Sequence, residues 1–308
     1  MASRTQPVRR DSVVRSRAFG RDWLLGYGML SPVLLVLFGL VAYPFGYAVW
    51  LSLNDIRVGG EPKWVGLANF QDLLTGANHD LLFNSAIVTF KLVVFALLAK
   101  FLIGMTTALI LHSAIRTRNL FRAMLFLPWS VPAVVAAYSW KWLYDENHGM
   151  IDLVAMQVGA IKLPIEWLGD INLAFWAVTA SIVWQGTPFW TMTYLAGLSS
   201  IPTEMYEAAQ IDGAGTVQSF FHITLPNLAG VILVTCMLSA IWTANGFQFI
   251  YILTNGGPAD ATMTFPLLAY QWGIRNFNLS TGAAVPLLFF PIFAVMIYFI
   301  SRRLLREV

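Results

Sequence analysis

Charge and cysteine are scarce in this 308-residue sequence. Asp, Glu, Lys and Arg supply only 11% of it, against about 25% in a soluble globular domain. With 57% apolar residues and a mean hydropathy of +0.65, the chain reads as an integral membrane protein. A single cysteine, Cys236, excludes an internal disulfide framework and leaves too few thiols for a cysteine-built metal site. Lysine is rare too. None of Lys63, Lys91, Lys100, Lys141 and Lys162 follows the glycines of a G-x-x-x-x-G-K-[ST] phosphate loop, so no nucleotide site of that kind is expected in this chain. The histidines, His79, His112, His148 and His222, stand on separate segments without metal-ligand spacing. No Ser-His-Asp or paired-carboxylate set shares one membrane level, and no enzyme chemistry or metal site is expected.

What the chain has is long uncharged runs. Crossing the hydrocarbon core takes about 20 apolar residues, and the gaps between charges hold five such stretches, roughly 24–52, 122–142, 173–198, 229–252 and 283–301. A sixth, about 83–112, is apolar except for Lys91 and Lys100. The expectation is an all-α membrane protein with six transmembrane helices. Its transmembrane body would cover 23–301, between short tails at 1–22 and 302–308. The first apolar run is too long for the core of a cleaved signal peptide and reads as an uncleaved anchor. Assigning the connecting segments alternately puts twelve Lys and Arg on the side of both termini and five on the other. Both termini therefore face the cytoplasm. Six of those twelve, from Arg4 to Arg21, precede the first span, so the net charge of +3 is membrane-orienting and no nucleic acid partner is expected.

The connection 199–228 contains no Lys or Arg and is cytoplasmic by parity alone. It has internal order. Pro202-Thr203 reads as a helix start with Thr203 as N-cap, Glu204 and Glu207 suit the positive end of the helix dipole, and the helix runs to about Asp212. Gly213 and Gly215 supply a stop and a turn. A second short helix, about Thr216 to Ile223, brings Val217, Phe220 and Phe221 together as an aromatic face toward the bundle, and Leu225-Pro226 ends it. The small Ala208 and Ala209 let another surface approach.

This stretch resembles the cytoplasmic loop of permeases of binding-protein-dependent ABC importers: E-A-A, three residues, G, nine residues, I-x-L-P. Here it is Glu207-Ala208-Ala209, Gly213 and Ile223-Thr224-Leu225-Pro226, with both spacings kept. "SPVLLVLFGLVAYPFGYAVWLSL", "GLANF", "FRAMLFLPWSVPAVVAAYSWKWLY" and "YILTNGGP" are similar, in order, to segments of the carbohydrate branch, the maltose- and glycerol-phosphate-type permeases. The resemblance implies a MetI-like ABC importer permease fold in the bacterial or archaeal cytoplasmic (inner) membrane. It also implies a second permease subunit and an extracytoplasmic solute-binding protein as partners. A dimer of ATPase subunits would bind ATP and Mg, leaving this chain without a cofactor. The loop would dock on the ATPase through Glu207, Ala208, Ala209, Asp212, Gly213, Ile223, Leu225 and Pro226.

Polar residues interrupt two of the apolar runs. Gln185, Gly186, Thr187 and Pro188 break the fourth, and Ser239, Thr243, Asn245 and Gln248 are too polar to face lipid from the fifth. A sugar presents hydroxyls and an apolar ring face, so such groups mixed with Trp184, Phe189, Trp242 and Phe247 suit a sugar or polyol. By position, the resemblance implies a solute path at Trp184, Gln185, Gly186, Phe189, Ser239, Trp242, Thr243 and Gly246. The same polar groups would also serve as interhelical glue. Lys91 and Lys100 are nine residues apart and face opposite sides of an ideal helix. Lys91 is within snorkelling reach of the outer surface, while Lys100 is nearer mid-span, where a charge faces protein or water. Pairing with the partner permease and lining the path both remain open for them.

Overall fold

The computed structural model describes residues 22–56, 60–113 and 118–307. The N-terminal arginines up to Arg21, Arg57 and Arg116, on which part of the charge asymmetry rests, lie outside the described residues. The chain divides into two compact units, residues 1–50 and 51–308.

The first unit holds α1 (Asp22–Leu37), a π-helical stretch at Phe38–Ala42 and most of α2 (Tyr43–Ser52). Leu25–Ser52 forms one helical run of 28 residues with a mean hydropathy of 2.1 and no buried residue in its most apolar window. A helix apolar on every side is solvated by lipid rather than by a core. Its π turn lies just before Pro44, and the Tyr43 amide donates to the Phe38 carbonyl. Widening the helix there spares the proline ring a clash with the carbonyl of the preceding turn.

The second unit begins with a two-stranded antiparallel ribbon, β1 (Asn54–Asp55) and β2 (Lys63–Trp64), with Asn54 opposite Trp64. Then come α3 (Ala68–Thr75), the long α4 (His79–His112), α5 (Arg118–Ser130), α6 (Ala133–Leu143) and α7 (Met150–Gln157). α8 spans Ile171–Leu198 and opens on Asp170, whose carboxylate accepts from the amides of Asn172 and Leu173 at 2.8 and 2.9 Å. That is a capping arrangement that satisfies two otherwise orphaned donors. α9 (Thr203–Ile211) and α10 (Thr216–Ser219) follow, then α11 (Leu225–Ala244), α12 (Gln248–Leu253), α13 (Phe265–Tyr270) and α14 (Leu279–Glu307).

α4 and α8 pack along each other and organise the unit. Gly104 makes the approach close enough that a Cβ there would lie 2.7 Å from the Trp190 Cβ. Thr107 and Thr191 share a hydroxyl hydrogen bond of 2.6 Å across the same seam. α11 completes the contact: Trp190 Nε1 donates to Ser239 Oγ at 3.1 Å, and Leu228 fills the space left by Gly197. Trp190 and Tyr194 are fully buried at the heart of this cluster. A second apolar cluster joins α6, α12, α13 and α14 around Leu267, Leu268 and Val285.

The six apolar runs fall on helix, with three departures from the expectation, the first being that the run 229–252 is interrupted at 245–247, between α11 and α12. The run 122–142 is not one straight rod: α5 and α6 meet at 95°. Pro132 cannot continue a helix, and Val131 before it is pushed away from helical angles. Among the described residues four helices are long and apolar enough to cross a membrane, and a fifth if that bent pair counts as one span. α8 is not among them despite its 28 residues. Its Thr, Trp, Gln and Pro side chains lower its hydropathy, and half of the helix is buried against neighbours, so it needs little lipid-facing surface.

Candidate functional site

α4, α8 and α11 converge with the α5–α6 bend on a cavity of ≈ 160 Å³. Three polar groups define it. Lys100 comes from the middle of α4 and is only 4% exposed; its Nζ donates to the Thr243 Oγ1 of α11 at 3.0 Å. Gln185 of α8 donates through Nε2 to the Val131 carbonyl at 3.2 Å, satisfying an acceptor freed by the break between α5 and α6. Ser239 receives the Trp190 indole N–H, as above. Between the polar groups lie aromatic rings. Trp129 stacks on Phe189 with centroids 5.5 Å apart, and Trp242 meets Phe189 edge-on at 5.0 Å.

Gly186 accounts for the position of the lysine. A Cβ there would sit 2.6 Å from Lys100 Cε and 3.0 Å from Nζ, so the absence of a side chain on α8 is what lets the ammonium lie flat against the helix. The cavity is narrow. At about 30 Å³ per water, its ≈ 160 Å³ holds about five waters or a group about the size of one sugar ring.

Seven of the eight residues expected along the solute path line this cavity: Gln185, Gly186 and Phe189 of α8, Ser239, Trp242 and Thr243 of α11, and Gly246 just past its end. Trp184 does not; its ring meets Trp140 of α6 edge-on at 5.6 Å. One step along a helix turns a side chain by about 100°, which separates Trp184 from Gln185. Trp129, Ala133, Ile182 and Phe249 also line the cavity and were not singled out by sequence. Lys100 lines it while Lys91 is exposed on the outside of α4, the separation that their nine-residue spacing requires.

At the other end of α11 stands the hairpin of α9 and α10. α9 starts at Thr203 with Pro202 as its cap and no capping side-chain bond, so Thr203 is the first helical residue rather than the N-cap. Glu207, Ala208 and Asp212 are exposed and Ala209 is partly covered. Gly213 has φ +81°, the left-handed turn that favours glycine, whereas Gly215 is extended and caps α10. Apolar side chains point outward here: Ile211 is 87% exposed and Val217 71%. Phe220 packs into the Trp190 cluster while Phe221 stays exposed, so the aromatic pair is divided between bundle and surface rather than turned inward together. Tyr206 and Thr224 share a hydroxyl bond of 3.0 Å that fastens α9 to the bundle.

The second arm does not end at Leu225-Pro226, as the sequence suggested. It passes through a π turn at Phe220–Thr224 straight into α11, with Pro226 in the first turn of that helix. The Leu225 amide donates to the Phe220 carbonyl, widening the helix just ahead of the proline as at Pro44. Ile223 and Leu225 are thereby partly covered on the rod, and Pro226 is exposed. Among the described residues no group of three or more His, Cys, Asp or Glu is placed to hold a metal.

A largely aromatic cavity with a few polar groups inside a helical bundle, and an exposed glycine-turned hairpin at the far end of one of its helices, fit a transport permease. The chain belongs to the family described as binding-protein-dependent transport system inner membrane component, whose model matches residues 100–308. It is 34% identical over 282 residues to the trehalose/maltose transport system permease protein MalF of Thermococcus litoralis, covering 91% of this chain and 93% of that one. It is 31% identical to the probable ABC transporter permease protein YesP of Bacillus subtilis, covering 89% of this chain and 88% of that one. A chain in the crystal structure of a bacterial ABC transporter involved in the import of the acidic polysaccharide alginate has the same fold, with a TM-score of 0.77 at 22% identity over 93% of this chain and 96% of that one. The architecture is thus a mostly helical, MetI-like ABC permease fold.

Proposed function

We propose that this chain is one of two permease subunits of an ATP-driven importer for a sugar or related polyol. It crosses the inner membrane six times with both termini in the cytoplasm. A binding protein delivers the solute from outside, the cavity between α4, α8 and α11 forms this subunit's share of the path, and a separate pair of ATPase subunits binds ATP and Mg. The hairpin 199–228 docks on one of them through Glu207, Ala208, Ala209, Asp212 and Gly213. The observation that carries the reading is the cavity: hydrogen-bonding groups and aromatic edges meet inside an otherwise apolar bundle, a lining that suits a ring with hydroxyls on its rim. Permeases of this kind named for trehalose, maltose and diacetylchitobiose transport, each spanning most of this chain, add support.

The first test is biochemical. The chain co-expressed with its partner permease should co-purify an ATPase and import sugar into proteoliposomes only with ATP and binding protein present. Flux by the isolated chain would refute the reading. The second is topological: a cysteine in 199–228 should react only with reagents that reach the cytoplasm, and one in 145–170 only with reagents applied outside.

A further inference from the structure

Among the described residues the mid-helix lysine of α4 has no counter-ion. Lys100 is 4% exposed, and its one hydrogen bond goes to a neutral hydroxyl, Thr243 Oγ1, at 3.0 Å. Neither α8 nor α11, the helices that face it, contains an Asp or Glu. Two ion pairs, His79 with Asp80 and His148 with Asp145, lie outside the cavity. Every other residue lining the cavity is uncharged. An ammonium carries three donors, and a charge taken out of water without a partner is among the costliest things a bundle holds. Such a group is retained where something that enters the site completes it.

Resting on the sugar-importer reading above, we infer that the solute carries an anionic substituent, a carboxylate, phosphate or sulfonate, and that Lys100 is the residue that receives it. The geometry supplies both halves of such a ligand. Thr243 and the missing side chain of Gly186 hold the ammonium at the cavity wall, while Gln185 and Ser239 remain for hydroxyls. Trp242, 48% exposed, adds aromatic surface to the lining. A compact ammonium suits this role because it meets an anion as a point charge from any approach angle.

The experiment uses the complete importer with its binding protein in proteoliposomes and two probes, maltose and the same disaccharide with one CH2OH group oxidised to carboxylate. The wild type should take up the acidic probe faster, and Lys100→Met should lower the acidic-to-neutral uptake ratio by roughly tenfold or more, the scale of one charge-assisted hydrogen bond. Lys100→Arg should keep most of the preference. An unchanged ratio in Lys100→Met overturns the inference. So does a wild type that imports maltose and ignores the acidic probe; Lys100→Met failing to assemble would then mark the lysine as a pairing site for the partner permease. Because the wild-type preference is read independently, the inference stays testable even if the variant does not assemble. Failure of the complete importer to take up any sugar or polyol with ATP and binding protein present would refute the sugar reading itself, whereas brisk import of maltose alone removes only the acidic solute.

Discussion

Two glycines with similar crowding should respond to the same substitution in opposite ways. A Cβ on Gly186 would lie 2.6 Å from Lys100 Cε, about 1 Å inside ordinary carbon contact. The obstacle is the end of a flexible side chain, so Gly186→Ala should push the ammonium off Thr243 without prying helices apart. Alanine in a helix interior gains about 0.5–1 kcal/mol over glycine, which offsets about a third of the lost hydrogen bond. Assembly and thermal stability should therefore stay near wild type, while displacing a charged donor worth about 1.5–3 kcal/mol should cut uptake roughly tenfold. Gly104 is different. A Cβ there would fall 2.7 Å from the Trp190 Cβ and 3.3 Å from the Thr191 amide nitrogen, atoms fixed to the backbone of α8. The α4–α8 seam must open, at about 1–3 kcal/mol, so Gly104→Ala should lower complex yield and unfolding temperature. Uptake into proteoliposomes and thermal unfolding of the purified complex, measured on both variants, separate the cases. Undiminished uptake by Gly186→Ala, or a wild-type melting temperature for Gly104→Ala, would refute this account of the cavity wall.

Trp242→Ala should reduce transport more than Trp184→Ala, since only Trp242 lines the cavity; equal losses in uptake would argue that both act through packing. Gly213→Val should uncouple ATP hydrolysis from transport or release the ATPase, because a β-branched residue resists the φ of +81° found there. Normal sugar-stimulated hydrolysis in that variant would remove the hairpin from the docking role.

The legible parts of this protein were those in which a residue broke a local rule. Gln185, Gly186, Ser239 and Thr243 stood out because polar atoms and a glycine interrupt apolar runs, and all four line the cavity. The hairpin was legible because proline, glycine and acidic residues punctuate it at fixed intervals. Trp129 could not be found this way. Tryptophan in an apolar run is unremarkable, and its place over the cavity depends on a 95° bend whose angle no local pattern encodes. Trp184 misled for the complementary reason: an aromatic beside a polar residue in sequence points about 100° away from it on a helix. The π turn before Pro226 was equally hidden, because a proline near a span reads as a terminator unless the preceding turn is known to widen.

That π turn lies between the hairpin and the cavity on one helical rod. α10, the turn and α11 form one continuous helical rod beginning at Thr216. The hairpin is mounted at one end of it, and Ser239, Trp242 and Thr243 face the cavity near the other. From Leu225 to Thr243 the rod runs about 27 Å at 1.5 Å per residue. A rod of this kind carries displacement only if its rotational register is kept, and the π turn holds an extra residue in that register. Deleting His222 together with Pro226→Ala, which removes the need for a widened turn, should restore plain α geometry. The hairpin would then turn by about 100° relative to the cavity face. His222 is exposed and its side chain bonds only the Gln218 carbonyl at 3.0 Å, so the loss should be one of register rather than of core packing. The Tyr206–Thr224 bond would break with the rotation. The expected result is a complex that assembles through α4, α8 and α11 and hydrolyses ATP without responding to sugar. Sugar-stimulated hydrolysis at the wild-type level in the deletion variant would show that the hairpin and the cavity communicate by some route other than this helix.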